Sequence, residues 1–127
     1  MTESSEFNRT LVATAVRTFT NIARAWSLTE QEQLAILGIS ELSALAVDGT
    51  TRHLLPETLE RISYVIGIYR ALHTIFPNQR QADGWIRRPN KATLFNGSAA
   101  LARMCTGQVR DLEAVRRHLD AQNFVHP

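Results

Sequence analysis

Apolar residues recur at steps of three and four along most of this 127-residue chain. That spacing places them on one face of an α-helix. An alternation of apolar and polar residues, which would indicate β-strands, is not found over six residues between turns. The pattern therefore predicts an all-α fold of about seven helices. A chain of this length can bury about two thirds of its unfolded surface, so we expect one domain, or two small ones that share a core.

Start and stop signals give the bounds of the predicted helices. Thr29 and Glu32 fit a capping box, which opens a helix by satisfying free backbone N–H groups. Gly38 can adopt the left-handed conformation that ends a helix, and Pro56 fits the first turn of a long one. The predicted helices run from Phe7 to Trp26, Thr29 to Gly38, Ser40 to about Val47, Pro56 to Phe76, a short piece carrying Trp85, Ser98 to about Thr106, and Val109 to about Gln122.

The first predicted helix carries an apolar stripe that is broad for a single face. Its members are Phe7, Leu11, Ala15, Phe19, Ile22 and Trp26, widened by Val12, Val16 and Ala23. Such a width is typical of a helix that packs on two sides, and a partner copy of the same helix is one possibility. The six polar residues before Phe7 are expected to be frayed.

The segment from Leu34 to Ser40 and the two leucines after it have the spacing of a helix-turn-helix. Gly38 would make the sharp turn, and Ile39 would fill the corner. The second helix would then start at Ser40, and in a DNA-binding protein its first residues enter the major groove. The candidate DNA contacts are Thr29, Gln31, Ser40, Ser43, Thr50 and Arg52.

Two features of the sequence count against DNA contact. The exposed positions of the second helix hold no Arg, Lys, Asn or Gln, the usual readers of base edges, and Glu41 would repel phosphate. Residues 1–60 carry four arginines and eight acids, a net charge of −4, whereas residues 61–127 carry ten Lys+Arg and four acids, +6, which together give +2. Duplex affinity depends on basic side chains, so the acidic charge of the half that carries the motif disfavours DNA contact. The motif is therefore interpreted either as a DNA-binding element or as plain helical packing.

The stretch from Trp85 to Ser98 is a second distinctive segment. Pro89 forces an extended backbone at Arg88, so the preceding helix must end there. Pro89 and Asn90 are expected to shape a turn, because an Asn side chain can bond its own backbone. Gly97 is expected to supply an unusual backbone angle. Trp85 is interpreted either as a core anchor that joins the two halves or as a partner contact.

The basic half offers a surface for a macromolecular partner. Thirteen of the fourteen basic residues of the chain are arginines, whose forked donors suit carboxylate or phosphate groups. The carboxyl-terminal tail, Asn123 to Pro127, carries the apolar residues Phe124 and Val125. Phe124 could anchor in a partner pocket, or it could fold back on the core. The candidate contacts are Arg103, Arg110, Arg116, Arg117, Asn123, Phe124 and Val125.

Catalytic and metal chemistry is not expected. The four histidines are scattered without metal-ligand spacing, and no Gly-rich loop follows a strand. Cys105, the only cysteine, lies in an apolar run and is expected to be a buried, inert thiol. We therefore predict no enzymatic activity, no cofactor and no metal. The absence of a disulfide, of a signal peptide and of a long apolar run favours the cytoplasm over secretion or a membrane.

The order and spacing of several segments resemble the antitoxins of the Xre/MbcA/ParS group over about residues 15–123. The matching residues are Trp26 to Thr29, Leu37 to Ser40, Glu60 to Ile62, Trp85, Pro89, Asn90, Leu94, Gly97, Leu101, Leu112, Val115 and Leu119. Family members usually carry an arginine and a tryptophan toward the end of the second Xre helix, where this chain has Leu45-Ala46-Val47. The resemblance implies a toxin partner, which in such pairs often has the RES domain and consumes NAD.

The predicted function is thus an antitoxin that neutralises a RES-type toxin by direct binding and represses its own operon as a complex. We assign residues 1–77 to an Xre-like helix-turn-helix region and residues 78–127 to a toxin-binding region, with a homodimer inside a larger complex. The alternative is a DNA-binding transcriptional regulator without a toxin partner. A third interpretation is an interaction module that does not contact DNA.

Overall fold

The computed structural model describes the backbone of residues 2–45 and 56–125, and the side chains of residues 9–45 and 56–122. The described residues form six α-helices and two 3₁₀ helices, which confirms the predicted all-α class. The helices are α1 (Thr2–Ala25), α2 (Glu30–Leu37), a 3₁₀ helix (Leu42–Leu45), α3 (Pro56–Ile75), α4 (Gln79–Gly84), a 3₁₀ helix (Trp85–Arg87), α5 (Ala100–Met104) and α6 (Val109–Val125).

The long helix α3 lies at the centre and packs against α6 and α1. Its fully buried residues include Ile62, Val65, Ile68 and Leu72, because a helix covered by two neighbours needs a wider apolar face than a surface helix. One continuous core contains side chains from both ends of the chain, such as Phe19 of α1 and Leu112 of α6. The two halves of the sequence therefore share a single core, as one of the sequence interpretations expected.

The predicted start and stop signals are present. The Thr29 hydroxyl accepts from the Glu32 N–H at 3.1 Å, and the Glu32 carboxylate accepts from the Thr29 N–H at 2.9 Å, so the capping box is complete. Gly38 ends α2 with φ +68°, and α3 begins at Pro56. Arg88 is extended (φ −84°, ψ 141°), as expected of a residue before proline.

Helix α1 differs from its prediction in two ways. It begins at Thr2 rather than Phe7. Its buried stripe consists of Phe19, Ile22 and Ala23 and continues into Trp26, whereas Leu11 is 52% exposed. Among the described residues, Leu11 is therefore left largely uncovered, whereas Val12, Ala15 and Val16 are half-buried. The side chain of Phe7 lies outside the described residues.

The predicted helix from Ser40 to Val47 is a single 3₁₀ turn, Leu42–Leu45, and residues 46–55 lie outside the described residues. The Ala44 N–H donates to the Glu41 carbonyl three residues back, the bond that defines a 3₁₀ turn. Leu45 is buried, and Ile39 and Leu42 pack partly against the core. Up to Leu45 the chain thus forms a 3₁₀ turn instead of the regular second helix that the motif predicted.

The start of α5 also differs from its prediction. Its amino-terminal cap is Ala99 rather than Ser98. The backbone of Ser98 is hydrogen-bonded within the preceding loop. Its N–H donates to the Phe95 carbonyl, and its carbonyl accepts from the Asn90 N–H. Of the described helices, none is both long and apolar enough to cross a membrane.

Candidate interaction surfaces

A closed loop from Pro89 to Ala99 joins the second 3₁₀ helix to α5. Its ends form an antiparallel bridge, and the Gly97 N–H donates to the Asn90 carbonyl at 2.8 Å. The Asn90 side chain accepts from the Ala92 N–H at 2.9 Å, which confirms the predicted bond to its own backbone. Gly97 has φ +90°, as predicted, which explains why a residue without Cβ stands there.

Trp85 is a half-buried anchor of the carboxyl-terminal half. Its ring meets Phe95 edge-on at 5.7 Å and stacks on His118 of α6 at 6.4 Å. Both of these ring partners come from residues 78–127, and Trp85 also packs against the core that the two halves share. Its role as an anchor between the halves or as a partner contact stays a prediction. Burial lowers the pKa of His118 below its ordinary value of 6.5, so the ring is neutral at pH 7.

Two of the four predicted arginines share the outer face of α6. Arg110 and Arg117 are exposed and lie two turns apart, about 10 Å along the helix axis. Within the described part of the chain, the Arg110 guanidinium makes no hydrogen bond or ion pair. Arg117 makes only a 3.4 Å contact with the Glu113 carboxylate, and its side chain is 79% exposed. Both guanidinium groups are therefore available to a partner.

Arg103 and Arg116 are committed to the fold. Arg103 lies 3.2 Å from the Asp111 carboxylate and donates to the Leu94 carbonyl. Arg116 lies across α3 at Gly67, where an added Cβ would be 2.5 Å from its Nε, and it pairs with Asp120 at 3.6 Å. The structure thus does not bring the four arginines together into one surface.

The predicted tail contacts Asn123, Phe124 and Val125 belong to α6 by backbone, but their side chains lie outside the described residues. Their role in binding a partner stays a prediction.

Among the described residues, the predicted DNA contacts do not lie together on one regular helix. The Thr29 hydroxyl is occupied by the capping box, and Gln31 is exposed on the first turn of α2. Ser40 is exposed just before the 3₁₀ turn, and the Ser43 hydroxyl donates to the Glu41 carboxylate at 2.9 Å. Thr50 and Arg52 lie outside the described residues.

Arg87 and Arg61 connect the two halves, a role that the sequence analysis missed. Arg87 donates to the Trp26 and Ser27 carbonyls at the end of α1, at 3.1 and 2.9 Å, and pairs with Glu32 at 3.1 Å. Arg61 donates to the Ile36 carbonyl and, at 2.8 Å, to the Gly107 carbonyl. Both satisfy carbonyls that helix ends and loops leave without partners.

The Glu32–Arg87 pair predicts a pH-dependent stability. Although burial acts to raise the pKa of Glu32, the Thr29 N–H and Arg87 outweigh it and hold that pKa below the ordinary 4.5. A carboxyl whose pKa is lowered by folding stabilises the native state above its unfolded pKa, and the contribution is lost as the pH falls through the folded pKa. We expect the unfolding free energy difference between the wild type and Glu32→Gln to shrink as the pH falls below 4.5.

Urea unfolding of both proteins at a series of pH values measures this difference. The same comparison in an Arg87→Gln background should give a smaller pH-dependent part, because one stabilising partner of the carboxylate is gone. A difference that does not change with pH would contradict the assignment.

Among the described residues, the side chains of Cys105 and His73 show no sign of reactive chemistry. Burial, and next the Glu32 carboxylate, raise the pKa of the half-buried Cys105 thiol, which lowers its thiolate fraction. His73 pairs with Asp83 at 2.8 Å on the edge of α3. Within the described ranges, no three His, Cys, Asp or Glu side chains are grouped so as to hold a metal ion.

Two protein-family models match the chain. Residues 10–67 match the antitoxin Xre-like helix-turn-helix domain, and residues 71–123 match the antitoxin Xre/MbcA/ParS C-terminal toxin-binding domain. The uncharacterized protein y4oB of Sinorhizobium fredii (strain NBRC 101917 / NGR234) is 38% identical over 112 residues, which cover 87% of this chain and 85% of that protein. Both matched regions reach into α3, so the central helix contributes to each of them.

Proposed function

Because this chain belongs to the Xre/MbcA/ParS family of antitoxins, we propose that it neutralises a toxin by direct contact through residues 78–127. Neither matched domain belongs to an enzymatic family, so inhibition is expected to come from occlusion of the toxin. The observation that carries the proposal is the match of residues 71–123 to a toxin-binding domain. The exposed Arg110 and Arg117 on α6 supply a charged surface for that contact.

The proposed partner is a RES-type toxin that consumes NAD. Support for this choice comes from the order and spacing of Trp85, Pro89, Asn90 and Gly97, which resemble antitoxins of such pairs. Arginines suit a toxin surface that carries carboxylates, since the guanidinium fork pairs with them in a planar geometry. The tail residues Asn123, Phe124 and Val125 extend the proposed contact beyond the arginines.

Co-expression tests this function directly. The protein encoded beside this chain should arrest growth when produced alone, and growth should return when this chain is produced with it. NAD content measured in the same cells reports the toxin's chemistry separately from growth. Loss of NAD that this chain prevents supports the RES assignment, whereas arrest without loss of NAD would contradict it and leave the antitoxin role intact.

Repression of its own operon is the second part of the proposal, and the matched helix-turn-helix domain favours it. The alternative, a regulator without a toxin partner, rests on that same domain. A gel shift of the upstream DNA at several salt concentrations separates the two, because contacts with phosphates weaken steeply as salt rises. Binding of DNA together with failure to restore growth would favour the regulator.

We further propose that the chain acts as a homodimer inside a larger complex with its toxin. The breadth of the apolar stripe predicted for α1 supports this form, because such a width is typical of a helix that packs on two sides.

A further inference from the structure

A cavity lies where the two matched regions meet, beside the start of α2. It measures about 710 Å³. Its lining includes Trp26, which precedes α2, together with Arg80, Gly84 and Arg87 from the other matched region. Arg87 also pairs at 3.1 Å with Glu32 in the first turn of α2, so the cavity lies against the start of that helix. A cavity at such a junction is a common place for a ligand.

Two arginines at the cavity carry charges that no described carboxylate neutralises. Arg80 lines the cavity and is exposed, and its guanidinium makes no hydrogen bond or ion pair with the described residues. Arg88 donates through Nη2 to the Gln81 carbonyl at 2.6 Å. A Cβ added to Gly84, which lines the cavity, would lie 4.0 Å from Nη1 of Arg88. Both guanidinium groups therefore keep donors for a ligand.

The acids near the cavity already have partners. Among the described lining residues, Asp83 is the only acid, and its carboxylate lies 2.8 Å from His73. The Glu32 carboxylate pairs with Arg87, and Glu30, the other acid in the first turn of α2, does not line the cavity. The two unpaired arginines outnumber the single lining acid whether or not the histidine is protonated. The cavity therefore favours an anionic ligand.

A buried hydrogen-bond donor without an acceptor belongs to the same cavity. The Trp26 side chain lines it and is 2% exposed, and within the part of the chain that the structure describes its indole Nε1–H has no hydrogen-bond partner. Most buried polar groups in proteins are paired, because an unpaired one destabilises the fold. An oxygen atom of an anion in the cavity can supply the missing acceptor.

The position of the cavity favours a phosphate of duplex DNA over other anions. In a helix-turn-helix, the first helix crosses the DNA backbone while the second enters the major groove. Here the first helix is α2, and Thr29 and Gln31 at its start are among the predicted DNA contacts. Residues 1–60 carry a net charge of −4, so the cations that phosphate contact requires must come from the rest of the chain.

We propose that this cavity binds a phosphate of the DNA backbone, with Arg80 and Arg88 supplying the positive charge and the Trp26 indole N–H donating to a phosphate oxygen. The carboxyl-terminal half then provides the phosphate contacts that the acidic helix-turn-helix half lacks. The proposal rests on the proposed repression of the operon and deepens it by naming the residues that meet the DNA backbone.

Titration of the full chain onto a labelled duplex of the upstream DNA, at several salt concentrations, tests the proposal. Arg80→Gln combined with Arg88→Gln should weaken binding at least about tenfold at low salt. The slope of log affinity against log salt should fall by about 1.8, which is about 0.9 for each lost phosphate contact. A duplex of unrelated sequence should lose affinity by the same factor, because phosphates carry no sequence information.

The matched control is Arg9→Gln combined with Arg17→Gln, at two exposed positions of α1. Each double variant takes the net charge from +2 to 0, since each replacement subtracts 1. The control should keep the wild-type salt slope. Circular dichroism checks that both variants retain their helix content.

The indole N–H signals in a ¹⁵N–¹H spectrum locate the contact. The chain has two tryptophans, and Trp85→Phe assigns their signals. Adding the duplex to the wild type should shift the Trp26 signal more than the Trp85 signal, because Trp85 does not line the cavity. The shift of the Trp26 signal should be lost in the Arg80 and Arg88 double variant.

The outcomes separate this proposal from the proposed function. A salt slope that the Arg80 and Arg88 double variant leaves unchanged, or a Trp26 signal that the duplex does not shift, would overturn the phosphate site and leave DNA binding by the wild type intact. A wild type without affinity for the upstream DNA would overturn both the site and the proposed repression. Loss of toxin affinity in place of DNA affinity would overturn the site by assigning the cavity to acidic groups of the toxin.

Discussion

Replacing both Arg110 and Arg117 by glutamate is expected to abolish rescue of cells from the toxin while the chain stays folded. Both side chains are exposed, and their contacts within the described residues are limited to the Arg117–Glu113 pair. Their replacement should therefore change the unfolding free energy by less than about 0.5 kcal/mol. If the toxin surface is acidic, two attractive pairs become two repulsive ones, and affinity should fall at least about hundredfold.

Colony survival during toxin expression measures rescue. Calorimetric titration of the purified proteins measures the affinity for the toxin. The matched control is the double reversal Arg9→Glu and Arg17→Glu, which involves two exposed arginines of α1. Each double variant takes the net charge from +2 to −2, since each reversal subtracts 2. Equal loss of rescue in both variants would mean that net charge matters and the α6 face does not.

Local signals account for most of what the sequence predicted correctly. The capping box of Thr29 and Glu32, the left-handed Gly38 and the first-turn Pro56 each act within one helical turn, so neighbouring residues determine them. The same holds for Asn90, whose side chain bonds two residues ahead. Helices α2 and α3 therefore lie close to their predicted bounds, because a capping box, a glycine and a proline define them.

Contacts between distant residues could not be read from the sequence. Arg87 lies 61 residues from Trp26, whose carbonyl it binds, and Arg61 lies 46 residues from Gly107. No spacing rule links such pairs, because the packing of α3 against its neighbours creates them. Gly67 shows the same limit, since its reason for being glycine is the Arg116 side chain that crosses it.

The candidate site was partly predictable for a related reason. Periodicity identified Leu112, Val115 and Leu119 as the inward face of α6, and all three are fully buried. Periodicity could not distinguish the available arginines from those that contact the rest of the fold. Arg103 contacts Asp111 and the Leu94 carbonyl, and Arg116 lies across Gly67 of α3. Only the packed structure distinguishes Arg110 and Arg117 as available.

Leu112→Ala is expected to destabilise both halves of the molecule together. Leu112 is fully buried in α6, which packs on α3, the helix common to both matched regions. Removing three buried carbon atoms and leaving a cavity should cost about 3 kcal/mol, out of roughly 5–15 kcal/mol for a domain of this kind. Because the core is continuous from Phe19 to Leu119, the loss should appear at the amino-terminal end as well.

The two tryptophans report the two halves separately. Trp26 is buried against α3 at its Tyr69, and Trp85 packs on α6 at His118. Fluorescence of Trp26 in a Trp85→Phe background, and of Trp85 in a Trp26→Phe background, should show the same shift in urea midpoint when Leu112→Ala is added. Arg117→Ala, at an exposed position of the same helix, should move neither midpoint by more than the equivalent of about 0.5 kcal/mol. A shift confined to Trp85 would mean that the carboxyl-terminal half unfolds by itself, which would contradict a single cooperative core.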